Sequence, residues 1–236
     1  TNNTMITYNL EDYFTALQFN EEEHKYTVTG SKQPLTSVTT FVKKFIKPFQ
    51  AYPISIAAAK SKQRKGIEIT AEYLRKYWKL NGQVAMAIGN RVHFFAENMP
   101  HFDSPKDLLE ESVIKFYKEI IEGKEQIVSR ELRCFFKGLS GTVDLITADN
   151  EGLIIRDYKT SADLNKSYGY MTGAFSSFKA SQLNQYTLQL LLYDYIVRMK
   201  TGHAAHKLEI VKISAEGYEL VGINEGMRSV FNDLIA

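Results

Sequence analysis

The stretch LSGTVDLITADNEGLIIRDYKTS, residues 139–161, reads as two strands joined by the turn Asp149-Asn150-Glu151-Gly152. If the chain turns between Asn150 and Glu151, facing residues sum to 301 and Asp144 stands opposite Asp157. Side chains alternate faces along a strand, so Lys159 shares the face of Asp157. A single hairpin thus gathers two carboxylates and an ammonium.

Like charges opposed across a ladder destabilise a sheet, and each raises the other's pKa unless a cation lies between them. A hard divalent ion with oxygen ligands removes the conflict. Asp157 follows Leu153-Ile154-Ile155, and Asp144 sits between Val143 and Leu145. Acids set in apolar strands are seldom there for solubility. For D-x-K alone, an exposed face with a Lys–Asp ion pair is the commoner reading. Adding Gly141-x-x-Asp144 at matched spacing favours a metal site, provided the register does not slip by one residue.

Working outward, residues 126–136 form a preceding strand and 182–199 a long apolar helix. KLEIVKIS and YELVGI are two further strands around a tight turn at Ala215–Gly217, before a short helix to Ala236. Upstream, residues 14–30 read as a hairpin with an acidic turn at Asn20–Glu23. A helix capped by Thr36 or Ser37 is predicted to reach Pro48, residues 54–80 read as helical, and another helix spans about Gln83 to Met99. Ser104-Pro105, with Asp107 closing a capping box, predicts a helix that Gly123 ends. The fold class is α/β (α+β), a central mixed sheet flanked by helices. It is read as one domain over 1–236, mainly helical over about 35–122, with the sheet and its flanking helices in 126–236.

Apolar residues at 44% and charged residues at 24% are ordinary for a globular chain. A formal charge of +2 does not announce nucleic acid, so any basic footprint must be local. Lys60, Lys62, Arg64 and Lys65 form such a run, although a solvated face is as common an origin. Cys134 is the only cysteine, which excludes an intramolecular disulfide and an iron–sulfur cluster. The opening TNNTMITYNLEDYF lacks the design of a secretory signal, and no apolar run spans a bilayer. A cytoplasmic protein without a membrane partner is expected.

Asp144 with Asp157-Tyr158-Lys159 resembles the motif of the PD-(D/E)XK nuclease superfamily, in particular its RecB-like branch, with phage-encoded and mitochondrial genome maintenance types. Gln189 and Tyr193 resemble that branch's Q-x-x-x-Y motif; Gln182 and Tyr186 share the spacing, and the phrase LQLLLY favours the former pair. Gly89-x-x-x-His93 with Glu97 resembles its G-x-x-x-H helix, and Ser37-Val38-Thr39 a common N-terminal element. The resemblance runs from about residue 35 to the C-terminus and implies a restriction-endonuclease-like core with an N-terminal helical region.

The resemblance implies that Asp144, Asp157, the carbonyl of Tyr158 and His93 hold one or two Mg²⁺ or Mn²⁺ ions. Lys159 would orient the attacking water, and Gln189 and Tyr193 would position the strand or the lysine. Each residue also has a plain alternative: His93 as a hydrogen-bonded helix histidine, Tyr193 as core. Glu131 could be an outer metal ligand or a strand-edge acid. Residues 163–181 show no periodicity and mix Lys166, Tyr168, Tyr170, Phe175, Phe178 and Lys179 with Gly and Ser. Such a loop suits a DNA-contacting flap that stacks on bases.

The function implied is a metal-dependent nuclease, an exonuclease on single-stranded DNA or DNA ends in phage replication or recombination. A structure-specific endonuclease is the alternative within enzymes. A catalytically silent DNA- or protein-binding module is the alternative outside them.

Overall fold

A computed structural model describes residues 8–20, 22–23, 25–31, 33–99, 101 and 104–235, and for Tyr168 the backbone only. Part of the acidic turn predicted at Asn20–Glu23 lies outside the described residues. Two compact units are present: residues 47–91, and residues 1–46 together with 92–236.

The larger unit opens with a hairpin of β1 (Leu17–Asn20) and β2 (Lys25–Val28). The two-residue strand β3 (Thr36–Ser37) leads into α1 (Val38–Lys43). Ser37 is the cap, its hydroxyl accepting from the amide of Thr40. This helix has six residues and stops well short of Pro48.

The smaller unit holds α2 (Ala51–Gln63) and most of α3 (Ala71–Glu97). Within it, Arg75 lies over the Tyr52 ring at 5.1 Å and donates to Ser55 Oγ at 2.8 Å. Phe49 meets Trp78 edge-on at 5.6 Å. The two helices predicted around residues 80–83 are one helix of 27 residues. Gly82 costs about 1 kcal/mol relative to alanine inside a helix, too little to end one.

The next helix, α4 (Leu108–Phe116), is capped by Asp107, not by Ser104-Pro105. The Asp107 carboxylate accepts from the amides of Leu109 and Glu110, and Glu110 reaches back to the amide of Lys106. The sequence D-L-L-E, residues 107–110, thus makes a variant of the capping box in which the glutamate reaches the amide before the cap. A π-helical turn, Tyr117–Ile121, follows.

Strands β4 (Gln126–Phe136), β5 (Leu139–Ala148) and β6 (Leu153–Lys159) occupy the predicted places. Residues 163–181, expected to lack regular structure, contain the hairpin β7 (Ser167–Tyr170) and β8 (Lys179–Ser181) with a 3-10 turn between them. Met171 and Phe175 anchor this segment in the core, Phe175 against Phe45 at 5.1 Å. Phe175 is therefore not available for stacking on a base.

The long helix α5 (Gln182–Thr201) is capped by Ser181 and ends at Gly202, whose φ of 78° suits a residue without Cβ. β9 (Ala205–Ser214), β10 (Gly217–Gly222) and α6 (Glu225–Ile235) complete the chain.

The mixed sheet has the order β10-β9-β6-β5-β3, with β4 also paired to β5. β6 and β9 run parallel, as do β3 and β5, and the other pairs are antiparallel. α1, α5 and α6 pack with one face around Val143, Ile155, Leu190 and Ile210. α4 packs on the other face with Val92, Phe95, Leu145 and Val211. Asp157 is next to Arg156, which points to the opposite face. There it is fully buried and held by Glu209 at 2.8 Å and by Glu125.

Candidate active site

β5 and β6 pair from Ala148↔Leu153 to Leu145↔Arg156, the register the turn predicts. The ladder stops one step before the two acids would face each other. There the amide of Tyr158 donates to Asp144 Oδ2 at 2.8 Å, so the acid accepts a bond the ladder no longer makes.

The neighbouring strand is irregular at the same level. Glu131 has φ 49°, a conformation costly for a residue with a side chain. It lies between the pairs Arg130↔Leu145 and Leu132↔Val143. Val143 and Ile146 belong to one core and Leu145 to the other, so the alternation of faces slips here. An irregularity of this kind re-aims side chains beside a site.

The result is a cluster of His93, Glu131 and Asp144, whose potential ligand atoms all lie within 4.8 Å of one another. His93 Nδ1 is 3.3 Å from Asp144 Oδ2, and its Nε2 is 3.0 Å from the carbonyl oxygen of Tyr158. Lys159 Nζ donates to that same carbonyl at 3.0 Å. The lysine also meets Asp157 Oδ2, an oxygen that is otherwise without a hydrogen-bond partner among the described residues. Asp157 stands outside the group of three, yet the Tyr158 carbonyl and Lys159 connect it to them.

The electrostatics are those of a site short of positive charge. Burial lifts Glu131 to a pKa of about 8, with the Asp144 carboxylate adding to the shift. Burial likewise carries Asp157 to about 6 against the pull of Lys159. For His93 burial acts downward, but the Asp144 charge and contact prevail and raise it to about 9. Burial would raise Asp144 too; His93, Lys159 and the Tyr158 amide outweigh it and hold the carboxyl low. For Lys159 burial acts downward, and Asp157 and Asp144 overcome it, keeping the ammonium charged.

From α5, Gln189 Nε2 donates to Asp157 Oδ1 at 3.0 Å and lies 3.4 Å from the hydroxyl of Tyr193. Tyr193 is buried, and a Cβ on Gly141 would sit 2.7 Å from its Cε1. The glycine of Gly-x-x-Asp thus makes room for the tyrosine. The tyrosine of the second Q-x-x-x-Y pair is also at the site. The ring of Tyr186 lies under the Lys159 ammonium at 4.8 Å, a cation–π contact that sequence reasoning missed. Its spacing from Gln182 was the available signal.

The residues expected to touch DNA fall in two places. Lys60, Lys62, Arg64 and Lys65 are exposed at the end of α2, in the smaller unit. Tyr170 and Lys179 are exposed cross-strand partners in the β7–β8 hairpin, in the larger unit. The side chain of Tyr168 lies outside what is described.

A search of curated proteins finds no match. The profile of the PD-(D/E)XK nuclease superfamily matches residues 49–226, three quarters of the chain, including the helical unit and every strand from β4 to β10. The restriction-endonuclease-like arrangement of mixed sheet and flanking helices accords with that match, and the chain belongs to the PD-(D/E)XK nuclease superfamily.

Proposed function

We propose that this protein is a metal-dependent deoxyribonuclease of the RecB-like branch, acting as an exonuclease on single-stranded DNA or DNA ends, in phage replication or recombination. The family supports a nuclease, and its members use divalent metal ions. The observation that carries the reading is the convergence of His93, Glu131, Asp144 and the Tyr158 carbonyl beside the Asp157–Lys159 pair.

The residues fit a hard divalent ion. Three candidate ligand atoms lie within 4.8 Å of one another, and a buried carboxylate oxygen on Asp157 meets the lysine and, among the described residues, no hydrogen-bond partner besides. Asp144, Asp157, Glu131, His93 and the Tyr158 carbonyl would hold one or two Mg²⁺ or Mn²⁺ ions. When bound, the metal supplies charge neutralisation at the phosphate and a more acidic water. Lys159 remains an ammonium, so its part is to orient the attacking water and stabilise negative charge on phosphate oxygens. Gln189 fixes Asp157, and Tyr186 lies against the lysine. Water adds to phosphorus, the bond to the leaving oxygen breaks, and that oxygen takes up a proton. Tyr170 and Lys179 on the β7–β8 hairpin, with Lys60, Lys62, Arg64 and Lys65, would contact the strand.

End-labelled DNA incubated with Mg²⁺, Mn²⁺ or EDTA tests this. Cleavage should require the metal and vanish in Lys159→Ala. A circular single strand should resist attack. Cutting of the circle would replace the exonuclease with an endonuclease, and binding without cleavage would leave a silent module on the same fold.

A further inference from the structure

The charge of this chain is unevenly placed. Residues 47–91 carry nine Lys and Arg against two Asp and Glu, a net +7, while the rest carries 20 against 25, a net −5. The basic excess sits with exposed apolar surface. Along α3, Tyr73, Tyr77, Leu80, Val84 and Ile88 follow helical spacing and share one face. All five are exposed, Tyr73 at 57% and Val84 at 58%. At 1.5 Å per residue the stripe is about 22 Å long. An amphipathic helix ordinarily turns such a stripe inward, and an exposed one of this length marks an interaction surface.

The rings of Tyr73 and Tyr77 are parallel to within 9°, with centroids 6.3 Å apart. Lys76 flanks them on the helix. Tyr73 also lines a cleft of about 890 Å³ with Gln63, Ile67, Glu68 and Thr70. Beside the cleft, Lys62, Arg64 and Lys65 are exposed. Aromatic faces with cations around them match an unpaired nucleic-acid strand, its bases on the rings and its phosphates on the lysines. A duplex keeps its base faces stacked away from such rings. A second copy of this unit would bring +7 against +7, and a protein partner would need a strongly acidic apolar helix.

We propose that the α3 stripe around Tyr73 and Tyr77 is a base-stacking platform that makes the helical unit selective for single-stranded over duplex DNA. The choice of DNA as the strand rests on the nuclease reading; the platform itself does not.

The test is fluorescence anisotropy of a labelled oligothymidine with the full chain in EDTA, where no cleavage occurs. Replacing both rings, Tyr73→Ala with Tyr77→Ala, should weaken binding about tenfold or more. Tyr73→Phe with Tyr77→Phe should stay within about threefold of the parent, and Tyr77→Trp should bind at least as tightly. Duplex binding should not move in any of them. Parental affinity in the alanine pair, or an equal loss on duplex, overturns the proposal, as does a phenylalanine pair as weak as the alanine pair. Both rings are more than half or about half exposed, so circular dichroism should match the parent. If the alanine pair does not fold, the phenylalanine pair and Tyr77→Trp carry the decision. Metal-dependent cleavage by the parent is scored separately. Loss of the stacking signature with cleavage intact sinks only this inference, and the reverse sinks only the nuclease reading.

Discussion

Asp144 accepts the main-chain amide of Tyr158 at 2.8 Å, and this bond stands where the β5–β6 ladder ends. The carboxylate therefore has two duties, closing the strand pair and presenting an oxygen to His93 and Glu131. The duties separate by substitution. Asp144→Asn keeps an oxygen for the amide and loses the charge that His93 and Lys159 favour, so it should melt below the parent at neutral pH but above Asp144→Ala, while cleavage falls by about 10²-fold or more. Asp144→Ala also leaves a buried amide unpaired, which costs about 1–3 kcal/mol. Chemical denaturation beside the cleavage assay checks both; an Asn variant of full activity would remove Asp144 from the site.

The protons in the cluster predict how metal binding varies with pH. His93 is raised to about 9, Glu131 to about 8 and Asp157 to about 6, so without metal the cluster holds more protons than the unfolded chain does. Stability tied to these three groups should therefore decline as pH rises from about 3.8 through 9. A divalent ion has to displace the same protons, so its affinity should climb over that range. Thermal melts in EDTA and in Mn²⁺ at pH 6 and pH 8.5 test the sign. The metal-induced rise in Tm should be larger at pH 8.5, and calorimetry should record proton release on binding.

Gln189 ties Asp157 from outside the cluster, donating to Oδ1 while Lys159 meets Oδ2. Partners of this kind orient a ligand, and losing one costs about 10- to 100-fold in metal affinity or activity. Gln189→Leu should show that loss, and Gln189→Glu should be worse, because it sets an acid against an acid. Gln182→Leu, at the other end of the ambiguous spacing, should leave cleavage near parental. Rates measured at saturating Mn²⁺ separate lost affinity from lost chemistry.

How much of this was legible depends on which forces were local. The D-N-E-G turn sets the hairpin register as far as Leu145↔Arg156, so spacing alone brings Asp144, Asp157 and Lys159 to the same end of the ladder, but not the break in the ladder there. His93 followed from helical periodicity within a family pattern. Glu131 could be named but not aimed, because its positive φ within a strand leaves no composition signal. Tyr186 and Tyr193 sit on one apolar helix, and only tertiary packing tells that one lies against a lysine and the other against a glycine. The segment 163–181 read as loop because its glycines and serines hide two short strands. The burial of Phe175 is set by Phe45, 130 residues away in sequence.

The buried ion network behind the site sets a different kind of test. Arg156 is 1% exposed and bridges Glu125 and Glu209 on the sheet face opposite Asp157. Removing the cation takes the guanidinium from two carboxylates, Glu125 keeping the Thr147 hydroxyl, so Arg156→Met should destabilise the fold by about 3–5 kcal/mol. Lys207 salvages part of Glu209 at 2.9 Å, which places the loss mainly on Glu125. The residual activity of the folded fraction should stay near parental, since no atom of Arg156 joins the cluster.

Gly141 and Tyr193 give the sharpest packing test. A methyl group at Gly141 would meet Cε1 of Tyr193 at 2.7 Å, and the ring is enclosed on all sides. Gly141→Ala should therefore cost about 1–3 kcal/mol by overpacking. Tyr193→Phe keeps the offending carbon and should not relieve it, whereas Tyr193→Leu should, giving a favourable coupling in a double-mutant cycle. Urea denaturation of the four proteins measures the cycle. Additive costs would mean that Gly141 is required for some reason other than the tyrosine, and the link between the Gly-x-x-Asp strand and α5 would have to be redrawn.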